Sequence, residues 1–358
     1  MTSTYNPDVR DQVTSENEYY YHLPPELIAQ RPVRPRDEAA MFVMHRATGR
    51  RELRKVKDLP EFLEPGDVVV LNDTKVVPTV MRGERENGGQ IAIRLVSRKT
   101  EQTWDCAVDS ARPPHPGDTL RFGDNLEATV LEPNPQGTGF LIRLVTTDNS
   151  DLRAAIGEVA KYFHPIHLSP LSSGDEEILQ TVYAHQDGSF QSPSAGLHIT
   201  DELLDRLAAR EIEVVKVTQH VGRLDAPGPL AGDHVNEVET LYEEWFRLTP
   251  ETAAVINKAK DDGHRVVAIG TTVTRTLETC AQDDGHVRAD IGWSTLFLKP
   301  GIPFKAVDVL LTNFQSPKIT TLILACAFAG TDEVMDFYRD AVDRRLRFLE
   351  YGDAALYL

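Results

Sequence analysis

Val266-Val267-Ala268-Ile269-Gly270-Thr271-Thr272 is the stretch that decides the fold. Four apolar residues in a row, two of them β-branched valines, read as a strand buried on both faces. The glycine and two hydroxyls that follow mark the strand's end, and a helix is expected from about Val273, carrying Arg275 and Glu278. Thr271 or Thr272 would serve as its N-cap. A helix precedes the strand, over Pro250 to Asp261, and another from Leu203 to Arg210 precedes the strand Glu213 to Val217. Helix and strand alternating in this way predict α/β layers, with ligands held outside the carboxyl ends of the strands.

Moving outward, the pattern changes. Gln90–Val96, Thr103–Val108, Thr119–Phe122, Leu126–Leu131 and Gly139–Val145 are short strand-like runs separated by Gly and Pro turns. Their spacing predicts a small antiparallel β-barrel. Met41–Met44 followed by Ala47-Thr48-Gly49 reads as a hairpin, and Pro65-Gly66-Asp67 leads into a buried strand Val68–Leu71. The expected fold is therefore α/β with an inserted small antiparallel β-barrel domain. Residues 1–18 read as a polar, disordered tail, 80–150 as the barrel, and 19–79 with 151–358 as the α/β domain.

Composition bounds the function. The chain has 358 residues, 41% hydrophobic and 26% charged, as ordinary globular proteins have. Its longest apolar run, Leu322–Ala329, is too short to span a bilayer. The three cysteines, Cys106, Cys280 and Cys326, make no metal-ligand or disulfide pattern, so a reducing cytoplasm and no metal are expected. A net charge of −17 argues against a surface that binds nucleic acid everywhere. The densest positive charge lies between Arg31 and Lys57, where Arg34, Arg36, Arg46, Arg50, Arg51, Arg54 and Lys55 also fall. Either a local basic face or a solvated mixed-charge surface fits that segment. No glycine-rich nucleotide loop, nucleophile elbow or helical histidine pair is present.

Candidate site residues cluster where strands end. In Ser192-Pro193-Ser194-Ala195-Gly196-Leu197-His198-Ile199-Thr200, small residues precede one imidazole and a helix start at Thr200-Asp201-Glu202. Asn72-Asp73-Thr74, His220-Val221-Gly222 and Asn313-Phe314 follow other apolar runs. Asn313 suits the edge of an adenine or ribose and Phe314 suits stacking on a base, though a turn asparagine beside a core phenylalanine reads the same.

Together with Leu23–Gln30, Leu71–Pro78, Gly270–Glu278 and Tyr351–Ala354, these segments occur in the order in which they resemble the S-adenosylmethionine:tRNA ribosyltransferase-isomerase family of queuosine biosynthesis, from about Tyr20 to Leu358. The resemblance implies transfer and isomerisation of the ribosyl moiety of S-adenosylmethionine onto 7-aminomethyl-7-deazaguanine in tRNA, giving epoxyqueuosine, adenine and methionine. S-adenosylmethionine is the co-substrate, tRNA the macromolecular partner, and no further cofactor is implied. His198, Arg275 and Glu278 become catalytic candidates; Asp73, Ser194, Gly196, His220, Thr271, Thr272 and Asn313 become substrate-binding candidates.

This chain also departs from the family pattern. A usual His-x-Met-His-x-Glu is Glu239–Glu244, keeping only Glu244, and a usual Asn-Phe-His-Leu-Pro is Asn313–Pro317 with Gln315 for the histidine. Leu224-Asp225-Ala226 replaces Gly-Thr-Phe, Val159–Pro165 replaces a Pro-Leu-Pro-Pro-Tyr segment, and Asp109 stands for a barrel arginine. These changes lead to an expectation of weak, salt-sensitive tRNA binding. Two further readings follow: small-molecule chemistry on the same sulfonium donor without tRNA, and a binding protein without turnover.

Overall fold

The computed structural model describes residues 18–134, 139–163, 168–169, 175–221 and 238–358. The polar tail up to residue 17, Gly222, the Leu224–Ala226 segment and His164-Pro165 lie outside the described residues. Two compact units emerge, one built on residues 76–170 and one on the rest of the described chain.

The first strands belong to the larger unit. β1 (Ala40–Met44) and β2 (Arg51–Lys55) form the expected hairpin, Ala40 facing Lys55 and Met44 facing Arg51. β3 (Val68–Asn72) follows, then the short β4 (Thr74–Val76).

Six strands of the smaller unit close into an antiparallel barrel: β5 (Val80–Arg85), β6 (Gln90–Arg98), β7 (Thr103–Asp109), β8 (Thr119–Phe122), β9 (Leu126–Pro133) and β10 (Phe140–Thr146). Around the barrel their order is β10-β7-β6-β5-β8-β9. Alternate residues fill it, among them Met81, Ile91, Ile93, Leu95, Leu120, Phe122, Val130 and Leu144. Gly83 admits no side chain, since a Cβ there would stand 2.1 Å from the Arg121 carbonyl oxygen. Helix α1 (Leu152–Val159), capped by Asp151, buries Ala155 and Ile156 in this barrel core. By sequence, residues from 151 onward group with the α/β part; α1 packs instead against the barrel core, because its apolar face is matched there.

The rest of the chain builds the larger unit. Its strands are β11 (Gln186–Ser189), β12 (Glu213–Gln219), β13 (Thr240–Leu248), β14 (Val266–Ile269), β15 (Asp290–Leu296), β16 (Val309–Asn313) and β17 (Ala354–Tyr357). Its helices are α2 (Asp201–Ala208), α3 (Pro250–Asp261), α4 (Thr271–Cys280), α5 (Thr320–Ala329) and α6 (Thr331–Asp343). A nine-stranded sheet runs β15-β13-β12-β3-β14-β16-β17-β1-β2. The four central strands, β12 to β16, are mutually parallel. Val69, Leu71, Val267, Ile269, Val309 and Leu311 line one face with Leu203 and Leu207 of α2. The uninterrupted valine and isoleucine runs thus mark strands covered on both sides.

No described helix is long and apolar enough to cross a membrane.

Candidate active site at the strand ends

Because β12, β3, β14 and β16 are parallel neighbours, Gln219, Asn72, Ile269 and Asn313 end them on the same edge of the sheet. That edge is where an open α/β sheet binds ligands. Asn72 ties three strand ends together. Its amide donates to the Gln219 carbonyl oxygen at 2.9 Å and to Thr272 Oγ1 at 3.1 Å, and its Oδ1 accepts from the backbone N–H of Gln219 and of Thr74. Asp73 Oδ1 accepts from Thr218 Oγ1 at 2.6 Å. Thr74 Oγ1 lies 2.8 Å from Nδ1 of His220, whose ring is stacked on Trp245. Burial holds the His220 imidazole at about 4, below its ordinary value, so it is neutral near pH 7.

Ser194–His198 forms a single 3-10 turn against this edge, its Ala195 Cβ lying 3.5 Å from where a Cβ on Gly270 would stand. Gly196 is required there: a Cβ would fall 2.2 Å from the hydroxyl of the buried Tyr183. Gly196→Ala is expected to destabilise the protein by about 1–3 kcal/mol, the cost of overpacking, measured as a lowered urea midpoint at unchanged m. His198 is 5% exposed, with Nε2 at 2.9 Å from the Gly352 carbonyl oxygen and Nδ1 at 3.3 Å from that of Ala195. Desolvation lowers its pKa. The imidazole thus pins the turn to the Tyr351–Asp353 segment, with backbone oxygens facing both ring nitrogens.

Helix α4 begins at Thr271, two residues before the expected start. Its N-cap is Gly270, at φ 100, rather than Thr271 or Thr272, and no side chain caps it. The first-turn N–H groups, which have no partner within a helix, therefore face the strand ends together with the dipole's positive end. Arg275 and Glu278 do not pair with each other. Arg275 donates to Glu244 through Nη1 and to the Leu296 and Ser294 carbonyl oxygens. Glu244 also accepts from Gln219 Nε2 at 2.6 Å, and Gln219 Oε1 accepts from Thr276 at 2.8 Å. Glu278 instead accepts the backbone N–H groups of Lys305, Ala306 and Val307, between 2.8 and 3.0 Å. Its carboxyl is raised, by burial first of all.

Asn313, 1% exposed, donates to the carbonyl oxygens of Leu349 and Glu350, while its Oδ1 has no hydrogen-bond partner among the described residues. Phe314 is not available for stacking on a base: it is fully buried among Phe337, Tyr338 and Phe348. The cations between Arg31 and Lys57 are largely matched by carboxylates. Arg31 meets Asp175, Arg34 meets Glu177, Lys55 and Lys57 share Glu38, and Arg50 and Arg54 share Glu52.

Asp73, His220, Thr271, Thr272, Asn313 and the Ser194–Gly196 turn thus gather at one sheet edge, whereas Arg275 and Glu278 turn toward other partners. Asn72, Gln219 and Glu244 were missed as candidates. For Asn72 and Gln219 the available signal was a polar residue closing a strand, whereas Glu244 stands inside β13.

Residues 16–357 match the family model described as queuosine biosynthesis protein. The S-adenosylmethionine:tRNA ribosyltransferase-isomerase of Symbiobacterium thermophilum is 42% identical over 346 residues, 96% of this chain and 99% of its own. That of Moorella thermoacetica is 41% identical over 343 residues, covering 95% and 99%. The crystal structure of S-adenosylmethionine tRNA ribosyltransferase from Thermotoga maritima superposes with a TM-score of 0.55 at 34% identity, covering 95% of this chain and all of that one. With a family match over nearly the whole chain and relatives this similar at full length, the chain belongs to the queuosine biosynthesis protein family.

Proposed function

We propose that this chain transfers and isomerises the ribosyl moiety of S-adenosylmethionine onto a 7-aminomethyl-7-deazaguanine base in tRNA, releasing adenine and methionine and leaving epoxyqueuosine. The observation that carries this is the 42% identity, over 346 residues, to a protein named for that class of reaction. The sulfonium acidifies the hydrogens on C5′. A base removes one, and the carbanion's electron pair opens the sugar as adenine departs. The amine of the modified base adds to the vinyl sulfonium so formed, losing its proton. The regenerated carbanion closes the five-membered carbocycle on the aldehyde carbon, and the resulting alkoxide displaces methionine, which takes the electron pair of the broken C–S bond, to give the epoxide.

In this reading the strand ends hold the sulfonium donor. The uncapped first turn of α4, at Thr271 and Thr272, suits the methionine carboxylate. Asp73 suits a ribose hydroxyl, and the unpartnered Oδ1 of Asn313 suits the adenine amine. His198, Arg275 and Glu278 act through the segments they hold: the Ser194–His198 turn, the β13–α4 seam and the 305–307 loop.

The test incubates the protein with S-adenosylmethionine, with and without tRNA carrying the modified base, and measures adenine and methionine. Equal amounts of both, dependent on that tRNA, are expected. Asp73→Asn should lower kcat/KM about tenfold to a hundredfold, the value of one hydrogen bond to a charged group. Adenine release that ignores tRNA would overturn the assignment in favour of small-molecule chemistry.

A further inference from the structure

Asp73, Thr218 and Arg247 stand in one row across β3, β12 and β13. Thr218 lies opposite Arg247 in register, and its Oγ1 donates at 2.6 Å to Asp73 Oδ1 at the end of β3. Lys216, two residues before Thr218, presents its side chain on the same face, diagonally across from Arg247. Glu244 and Gln219 point to the opposite face, toward α4. The row continues past Arg247 to Ile291, which is 63% exposed, so the face is reachable from that side.

Arg265, Arg275 and Arg347 are half-buried like Arg247, and each meets a carboxylate, on Asp67, Glu244 and Asp353. Arg247 meets none among the described residues, and its Nε is buried without a hydrogen-bond partner among them. Asp73, the carboxylate in the row, is bonded to Thr218 instead. Lys216 is exposed, its ammonium 5.9 Å from the Tyr183 ring centre, again with no carboxylate among the described residues. A buried donor that the fold leaves unsatisfied calls for an acceptor from outside it. The Arg247 charge reaches the strand ends, since it disfavours a proton on His220. With a net charge of −17 the chain as a whole repels polyanions, so one is best held where cations stand unmatched.

We propose that Arg247 and Lys216 bind a backbone phosphate of the RNA acceptor, beside the donor site. The inference rests on the proposed reaction. A guanidinium offers paired N–H donors that match phosphate oxygens, and an ammonium adds a point charge. Such a contact carries no base identity; it sets the register in which the modified base meets the sulfonium. A carboxylate presents the same chemistry to Arg247, and the methionine end of the donor is its other source. The first turn of α4 already suits that group, and the row faces away from α4, which favours the phosphate.

The experiment uses the full chain and tRNA with and without the modified base, binding being measured over a range of salt. Arg247→Gln should weaken affinity for both tRNAs about fivefold or more, between the value of an exposed ion pair and that of a charge-assisted hydrogen bond. The slope of log Kd against log salt should drop by about 1, the mark of one phosphate contact. Lys216→Gln, at an exposed position that leaves the core untouched, should act in the same direction with a smaller loss. Arg247→Lys, which keeps the charge, should lose less than Arg247→Gln. S-adenosylmethionine affinity should change less than about twofold in all three variants. Unchanged tRNA affinity and slope in both glutamine variants, with adenine still released by the parent protein, would overturn the site and leave the reaction standing. Loss of S-adenosylmethionine affinity with tRNA affinity intact would assign Arg247 to the donor's carboxylate and overturn the proposal. A lowered slope in Arg247→Gln, with no adenine released by the parent protein, would support the phosphate site while sinking the reaction.

Discussion

Replacing Glu244 with alanine is expected to cost about 3–5 kcal/mol of folding stability, the penalty for stranding one member of a buried ion pair. The Arg275 guanidinium would lose its carboxylate while 11% exposed, and Gln219 Nε2 would lose its 2.6 Å acceptor. Glu244→Gln keeps an acceptor oxygen and should cost less. Pairing Glu244→Leu with Arg275→Met should recover much of the loss, since apolar replacements remove the need for a partner. Urea denaturation followed by tryptophan fluorescence reports all three directly. A loss below about 1 kcal/mol in Glu244→Ala would mean that water reaches the pair. Because Arg275 lies on α4, the alanine variant should also weaken S-adenosylmethionine binding.

Acid should weaken the fold through His220. Its pKa is about 4 in the folded protein against an ordinary 6.5, burial being the main cause. Between those values the unfolded chain binds a proton that the folded one refuses, so stability rises with pH across that window. The contribution is complete above about 6.5 and is lost as pH falls through 4. At about 1.4 kcal/mol for each pH unit, reduced for partial contact with solvent, it amounts to about 2–3 kcal/mol. Asp73 and Asp187 favour the proton and Arg247 opposes it. His198, lowered by its own burial, adds in the same direction. Stability measured from pH 7 to pH 4 should fall less in His220→Phe than in the parent. Equal slopes in the two proteins would refute the assignment.

Much of the architecture is legible in the sequence because it is local. The alternation in Gln90–Val96 and Leu126–Leu131 specifies barrel strands, and Val266–Ile269 specifies a central one. Thr200 and Thr249 announce their helices and cap them by accepting from Leu203 and Thr252. What stays hidden depends on partners distant in the chain. Nothing near Glu278 says that its carboxylate closes the 305–307 loop, and nothing near Phe314 separates a core ring from a stacking one. His198 reads as a site imidazole because sequence shows neither the Ala195 nor the Gly352 carbonyl beside it. At Asn72-Asp73 the resemblance draws attention to the aspartate, whereas both side chains bond to β12, Asn72 to Gln219 and Asp73 to Thr218.

The place of β17 in the sheet has a consequence for the newborn chain. β17 comes last in chain order, yet it lies between β16 and β1. The β1–β2 hairpin joins the other strands through β17, to which β1 is parallel from Met41 to Met44. On the ribosome the hairpin therefore emerges early and must wait, its apolar Met41–Met44 edge unpaired, until residues 354–357 have left the exit tunnel. Until then the hairpin carries an open sheet edge of the kind that chaperones shield.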